Sequence, residues 1–150
     1  MTNNSSSSST VRILAILVII AGVVFIGASV GSWAAVTAQL KAENITVADD
    51  AGRFAGQTVD GPLTAYEQAN VINKHALEAT GGKTYAELAQ DDPTRQVAMT
   101  ASFLRASLFT SVLAFGVSAM AGGLGIVLVL IGVALLKVVS QPGSDDPMTS

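Results

Sequence analysis

The sequence predicts an all-α membrane protein: two transmembrane helices forming an antiparallel hairpin, with a small, mainly helical extramembrane domain between them. Three observations carry this. Ile13–Val36 is a run of 24 residues without a charge, and Ala106–Leu136 is another of 31. Roughly 20 apolar residues of helix cross a bilayer core, and backbone amides in lipid must be satisfied within the segment, so helix is the conformation expected of both. The segment between them holds repeated helix start and stop signals.

Taken in order, Met1–Thr10 is polar and serine-rich and is expected to be a disordered tail. The first transmembrane helix is assigned to residues 11–39. Arg12, the apolar stretch and Ser32-Trp33-Ala34 could also form a cleavable signal peptide, but an h-region is typically 7–15 residues. The longer core and the absence of a basic leader favour an uncleaved anchor.

Residues 40–92 form the extramembrane domain. Thr64-Ala65-Tyr66-Glu67 reads as a capping box, in which threonine and glutamate satisfy each other's free amides. Ala65, Ala69, Ile72, Ala76 and Ala79 follow at helical spacing, and Gly81-Gly82 supplies the stop. Thr84-Tyr85-Ala86-Glu87 repeats the box for a short helix ending near Gln90. Between Asn44 and Pro62, Ile45-Thr46-Val47 and Gln57-Thr58-Val59 could pair as strands. Asp49–Phe54 could equally be one helical turn, and the stretch is read as loop.

Asp92 as N-cap with Pro93 at the first helical position opens the last helix. Nothing interrupts it through residues 93–139, so the second span is expected to begin well before the membrane. Residues 140–150 are expected to be a second disordered tail. Lys and Arg are concentrated between the spans, yet segments longer than about 60 residues translocate largely regardless of charge. Arg12 and Lys137 flank the other ends, which favours cytoplasmic termini and an extracytoplasmic domain in the cell membrane.

Small residues recur within the spans. Gly27, Gly31 and Ala35 stand at i, i+4, i+8, as do Ala114, Ser118 and Gly122. Such faces let helices approach closely where lipid supplies no hydrophobic drive. In an antiparallel pair they fall at a similar depth, so a contact between the two spans is expected; a homo-oligomer or larger complex is the alternative use.

The chain has no cysteine and one histidine, His75. A metal site needs three or four ligands, so no metal and no cofactor are expected. Asp49/Asp50 and Asp91/Asp92 are adjacent acids that fall where helices start and are read as caps. The net charge of −3 without a basic block argues against a nucleic-acid partner. The spans carry no ionisable side chain, which argues against a pump or ion-coupled transporter. No catalytic residue is assigned.

Leu40-Lys41-Ala42-Glu43-Asn44-Ile45-Thr46-Val47, Gly61-Pro62-Leu63-Thr64-Ala65-Tyr66, Ile72-Asn73-Lys74-His75, Ala79-Thr80-Gly81-Gly82-Lys83-Thr84-Tyr85-Ala86 and the stretch Thr100–Ser111 carry a resemblance. Together they resemble a family of small actinobacterial two-pass membrane proteins, over roughly Arg12–Leu136. Members are often labelled the small subunit of an aromatic ring-opening dioxygenase. That label fails on the residues, since a non-haem iron centre needs two histidines and a carboxylate. The resemblance implies a two-pass membrane protein and no particular chemistry.

The expectation is therefore a non-enzymatic accessory, scaffold or interaction subunit of a cell-envelope complex. Its partners would be the lipid bilayer and itself or another membrane protein, with Tyr66, Ile72, His75 and Lys83 as the recognition surface. An oligomeric pore lined by Ser107, Thr110, Ser111 and Ser118 is the alternative. An enzyme subunit completed by a partner chain is the third reading.

Overall fold

The computed structural model describes residues 4–141, and within them the protein is all-helical. Helix α1 is Asn4–Ala42, α2 is Pro62–Ala79 and α3 is Arg95–Ser140, with a single 3-10 turn at Tyr85–Glu87. At 1.5 Å per residue α1 and α3 are about 58 and about 69 Å long. Both are long and apolar enough to cross a membrane.

The leader departs from expectation: Asn4–Thr10 is helical and continuous with the rest of α1. Serine is a mediocre helix former, but a helix already nucleated downstream gains one hydrogen bond for each residue added. Residues 1–3 and 142–150, including most of the second expected tail, lie outside the described residues.

The chain divides into two compact units, one of α1 up to Val30 with α3 from Ala119, the other Gly31–Ser118. In the first, α1 and α3 touch through small residues. A Cβ on Gly22 would lie 2.7 Å from the Gly125 carbonyl oxygen, and one on Gly125 would lie 2.6 Å from that of Gly22. Gly122 meets Ser29, and Gly132 meets Ala15 and Ile19. These positions are three, four or seven residues apart along each helix, the spacing of a seam with a 3.5-residue period.

In the second unit Ser118 reaches Ser32, with oxygens 2.9 Å apart, and the Trp33 and Phe115 rings meet edge to face at 4.7 Å. The expected contact residues differ from those observed: Ser118 meets Ser32 and not Gly31. Among the described residues a Cβ on Gly27 or Gly31 would meet no other part of the chain within 4 Å, and Ala35 is exposed. One residue is a turn of about 100°, so the Gly27/Gly31/Ala35 face points away from the seam. On α3, Ser118 and Gly122 lie on it, and Ala114 is half-buried beside it.

The core of the second unit joins Leu40, Val47, Val59, Ala65, Ala69, Leu108 and Phe115. The loop from α1 to α2 is tied down by one antiparallel bridge, Thr46 to Thr58. Val47 N–H donates to Gln57 and Val59 N–H to Ile45, both at 2.8 Å. Two or three residues make no stable strand alone, and Val47 and Val59, both buried, hold this one against the helices.

Helix α2 starts three residues before the capping box suggested. Pro62, whose fixed φ suits the first helical position, sets the start, and Gly61 is the N-cap. Thr64 then sits at the third position, where its hydroxyl accepts from Gly61 N–H at 3.2 Å. Glu67, released from capping, accepts from Arg53 N–H instead. The stop is as expected: Gly81 and Gly82 take φ of +64° and +85°, and Gly82 N–H closes on the Leu77 carbonyl at 2.7 Å.

The second box forms, with Glu87 accepting from both the N–H and the hydroxyl of Thr84 at 2.8 Å. The helix it opens is only the 3-10 turn, because Leu88 turns into extended backbone to become buried. The last helix starts two residues later than expected: Pro93 and Thr94 lie in a turn in which Asp92 accepts from Thr94 N–H at 2.8 Å, and α3 runs from Arg95, with Ala98 N–H on the Thr94 carbonyl.

Candidate functional site

Asp50, expected to cap a helix, has no helix after it. The turn at Asp49–Asp50 instead presents the Asp50 carboxylate to α2, where Lys74 Nζ lies 2.8 Å and His75 Nε2 2.9 Å away. Val47 and Val59 bring the loop here by their burial, and the side-chain carbonyl of Gln68 receives Ala48 N–H at 3.0 Å. The hydrogen bond from Lys74, then that from His75, lowers the Asp50 pKa from 3.8 to about 2. All three side chains remain about half exposed, so the cluster is screened by solvent.

The sign of the linkage is that of a depressed acid. The pairing stabilises the loop fully above the ordinary carboxylate value and is lost as pH falls through about 2. The Asp50 carboxyl carbon, followed by NMR, is therefore expected to titrate near pH 2. A midpoint at the ordinary carboxylate value would show that the pairing does not persist in solution.

His75 also faces a groove of about 510 Å³ between α2 and α3. Ile72, Ala76 and Ala79 line it from α2, and Val97, Ala101 and Leu104 from α3, with Gln96 and Thr100 as its polar groups. A neighbouring hollow of about 590 Å³ shares Ile72 and Leu104 and is more polar, with Gln39, Glu43, Gln68, Ser107 and Ser111. The groove is an apolar surface with a hydrogen-bonding rim.

Of the four recognition residues expected from sequence, Ile72 and His75 come together at this groove. Tyr66 stands edge to face against Phe109 at 5.8 Å, and Lys83 lines a separate small cleft with Arg105. Sequence reading missed Val97 and Leu104, although both belong to the apolar stripe that opens α3. Among the described residues no group of three or more His, Asp or Glu could hold a metal ion.

Three of the four hydroxyls expected to line a pore, those of Thr110, Ser111 and Ser118, turn back onto their own helix. Thr110 donates to the Ala106 carbonyl at 2.8 Å, Ser111 to Ser107 at 3.3 Å and Ser118 to Ala114 at 2.8 Å. Ser118 is buried against Ser32. Comparison with protein-family models, with curated proteins and with solved structures finds no match.

Proposed function

We propose that the chain is a two-pass integral membrane protein whose long helices form an antiparallel transmembrane hairpin. It serves as a non-enzymatic accessory or scaffold subunit of a cell-envelope complex. One observation carries the membrane reading. In the most apolar window of each long helix only 11% of residues are buried, so their side chains face outward. Ile13, Leu17, Val24 and Val30 on α1, and Leu113, Met120, Leu130 and Val138 on α3, are each more than half exposed. Apolar surface of that extent is sustained by lipid and not by water.

The scaffold reading rests on the α2–α3 groove, which offers apolar area with few polar groups. The arrangement of hydroxyls along α3 gives the pore reading no support. In this proposal the termini are cytoplasmic and the central segment extracytoplasmic, an orientation supported by Arg12 and Lys137 flanking the spans.

Two measurements test this. Alkaline carbonate washing should leave the full chain in the membrane pellet, and release into the supernatant would refute membrane integration. Co-purification from solubilised membranes should retrieve a partner that is lost on Val97→Glu, a change on the exposed groove wall. Retrieval of the chain alone, or a partner unaffected by Val97→Glu, would overturn the scaffold role.

A further inference from the structure

We propose that Lys83 and Arg105 form a binding site for a phosphate oxyanion, which in the membrane is the phosphate of an anionic phospholipid headgroup. The lipid half of this rests on the membrane reading above. The two cations line one cleft of about 50 Å³ together with Asn73, Ser102 and Tyr85, and no carboxylate lines it. Since about 10–15 Å³ of such space holds one water, the cleft admits a group of phosphate size.

Neither cation has an acid within ion-pair distance among the described residues, whose ion pairs are Lys41–Asp60, Lys74–Asp50 and His75–Asp50. The carboxylates of Glu87 and Asp92 are hydrogen-bonded by Thr84 and Thr94 and not by Lys83. Arg95 is likewise engaged, with its guanidinium 4.1 Å from the Tyr85 ring centroid and donating to the Leu88 carbonyl. Arg105 differs. Its Nε is buried and has no hydrogen-bond partner among the described residues, and its guanidinium lies 5.9 Å from the Phe109 ring centroid.

Arg105 lines the cleft beside Lys83, and the planar fork of a guanidinium matches phosphate oxygens better than an ammonium does. Position selects the source. Arg105 immediately precedes the uncharged run Ala106–Leu136, the level at which headgroups lie. Lys83 is brought there by the two left-handed glycines before it, and its backbone is pinned by Thr80, whose hydroxyl donates to the Lys83 carbonyl.

The test uses the full chain in detergent, titrated with phosphatidylglycerol and followed by native mass spectrometry. Phosphatidylcholine and inorganic phosphate form the comparison arms. Wild type should retain phosphatidylglycerol over phosphatidylcholine. Lys83→Gln and Arg105→Gln should each weaken it about five-fold, as expected for one cation near an anionic lipid. Arg105→Lys, which keeps charge and loses the fork, should fall between, with helix content by circular dichroism unchanged throughout. Inorganic phosphate that shifts the Arg105 Nε–H resonance without lipid preference would assign a soluble phosphate and overturn the lipid source. Equal lipid retention by wild type and the double variant, with no phosphate-induced shift, would overturn the site. Carbonate release of a chain that still shows the shift would instead refute the membrane reading alone.

Discussion

Gly125→Ala is expected to destabilise the full chain in detergent by about 2 kcal/mol, at the middle of the range for overpacking a close contact. A helical Gly→Ala change alone should be favourable by about 1 kcal/mol in water, so the sign distinguishes contact from propensity. The added Cβ would stand 2.6 Å from the Gly22 carbonyl oxygen and 3.0 Å from Ile26 N. Both are backbone atoms, so no rotamer change relieves the clash and the helices must separate. Gly122→Ala should be milder, because its obstacle at 2.7 Å is the Ser29 hydroxyl, which can rotate. Gly27→Ala and Gly31→Ala meet nothing within 4 Å and should show no loss. Reversible unfolding with a detergent denaturant checks the series, and equal effects at Gly125 and Gly31 would refute the seam. Gly31→Leu adds a separate readout: altered assembly with unaltered unfolding would show that this face meets another chain.

The contrast between Gly22/Gly125 and Gly27/Gly31 also shows which part of the architecture was legible. Two long apolar helices and a shorter one ending at the double glycine were readable, because each rests on a local signal; the starts of α2 and α3 were not, because Pro62 and the turn at Asp92 set them and not the expected caps. The helix contact was sought through i, i+4 repeats of small residues, and several faces carry them. The signal that selects the right face was present at a different period. Ala15, Gly22 and Ser29 recur every seven residues on α1, as Ser111, Ser118, Gly125 and Gly132 do on α3. A strict seven-residue repeat marks a continuous seam between two helices, where a single GxxxG marks one crossing.

The candidate site was less legible, for a physical reason. His75, Lys74 and Ile72 were visible on one helix, but Asp50 reaches Lys74 across 24 residues through a loop with no regular structure. Its path depends on Asn44 and Phe54 at positive φ and on two short segments that pair only because they are buried. Non-glycine residues in that region are uncommon and are imposed by tertiary contacts. Local pattern therefore assigned Asp50 to capping, the commonest use of an acid beside a turn, and could not place it against α2.

That dependence makes Val59 the point at which the loop is most vulnerable. Val59 is fully buried in the cluster with Val47, Leu40 and Leu108, and its N–H holds the Ile45 carbonyl. Val59→Asp places a carboxylate in that apolar cluster, and an uncompensated buried charge costs about 3–5 kcal/mol. Val59→Ala, which removes two methyl groups and leaves a small void, should cost about 2 kcal/mol. The bridge to Thr46 contributes too few hydrogen bonds to offset the larger loss, so the loop from Asn44 to Asp60 should detach. Detachment takes Asp50 from Lys74 and His75, which links this core position to the surface cluster. In Val59→Asp, hydrogen exchange should then be rapid at the amides of Val47, Gly56 and position 59 itself, with α3 still protected. The Asp50 carboxyl should return toward its ordinary pKa. Protection of the Val47 amide in Val59→Asp would mean that the backbone bridge, and not burial, holds the loop in place.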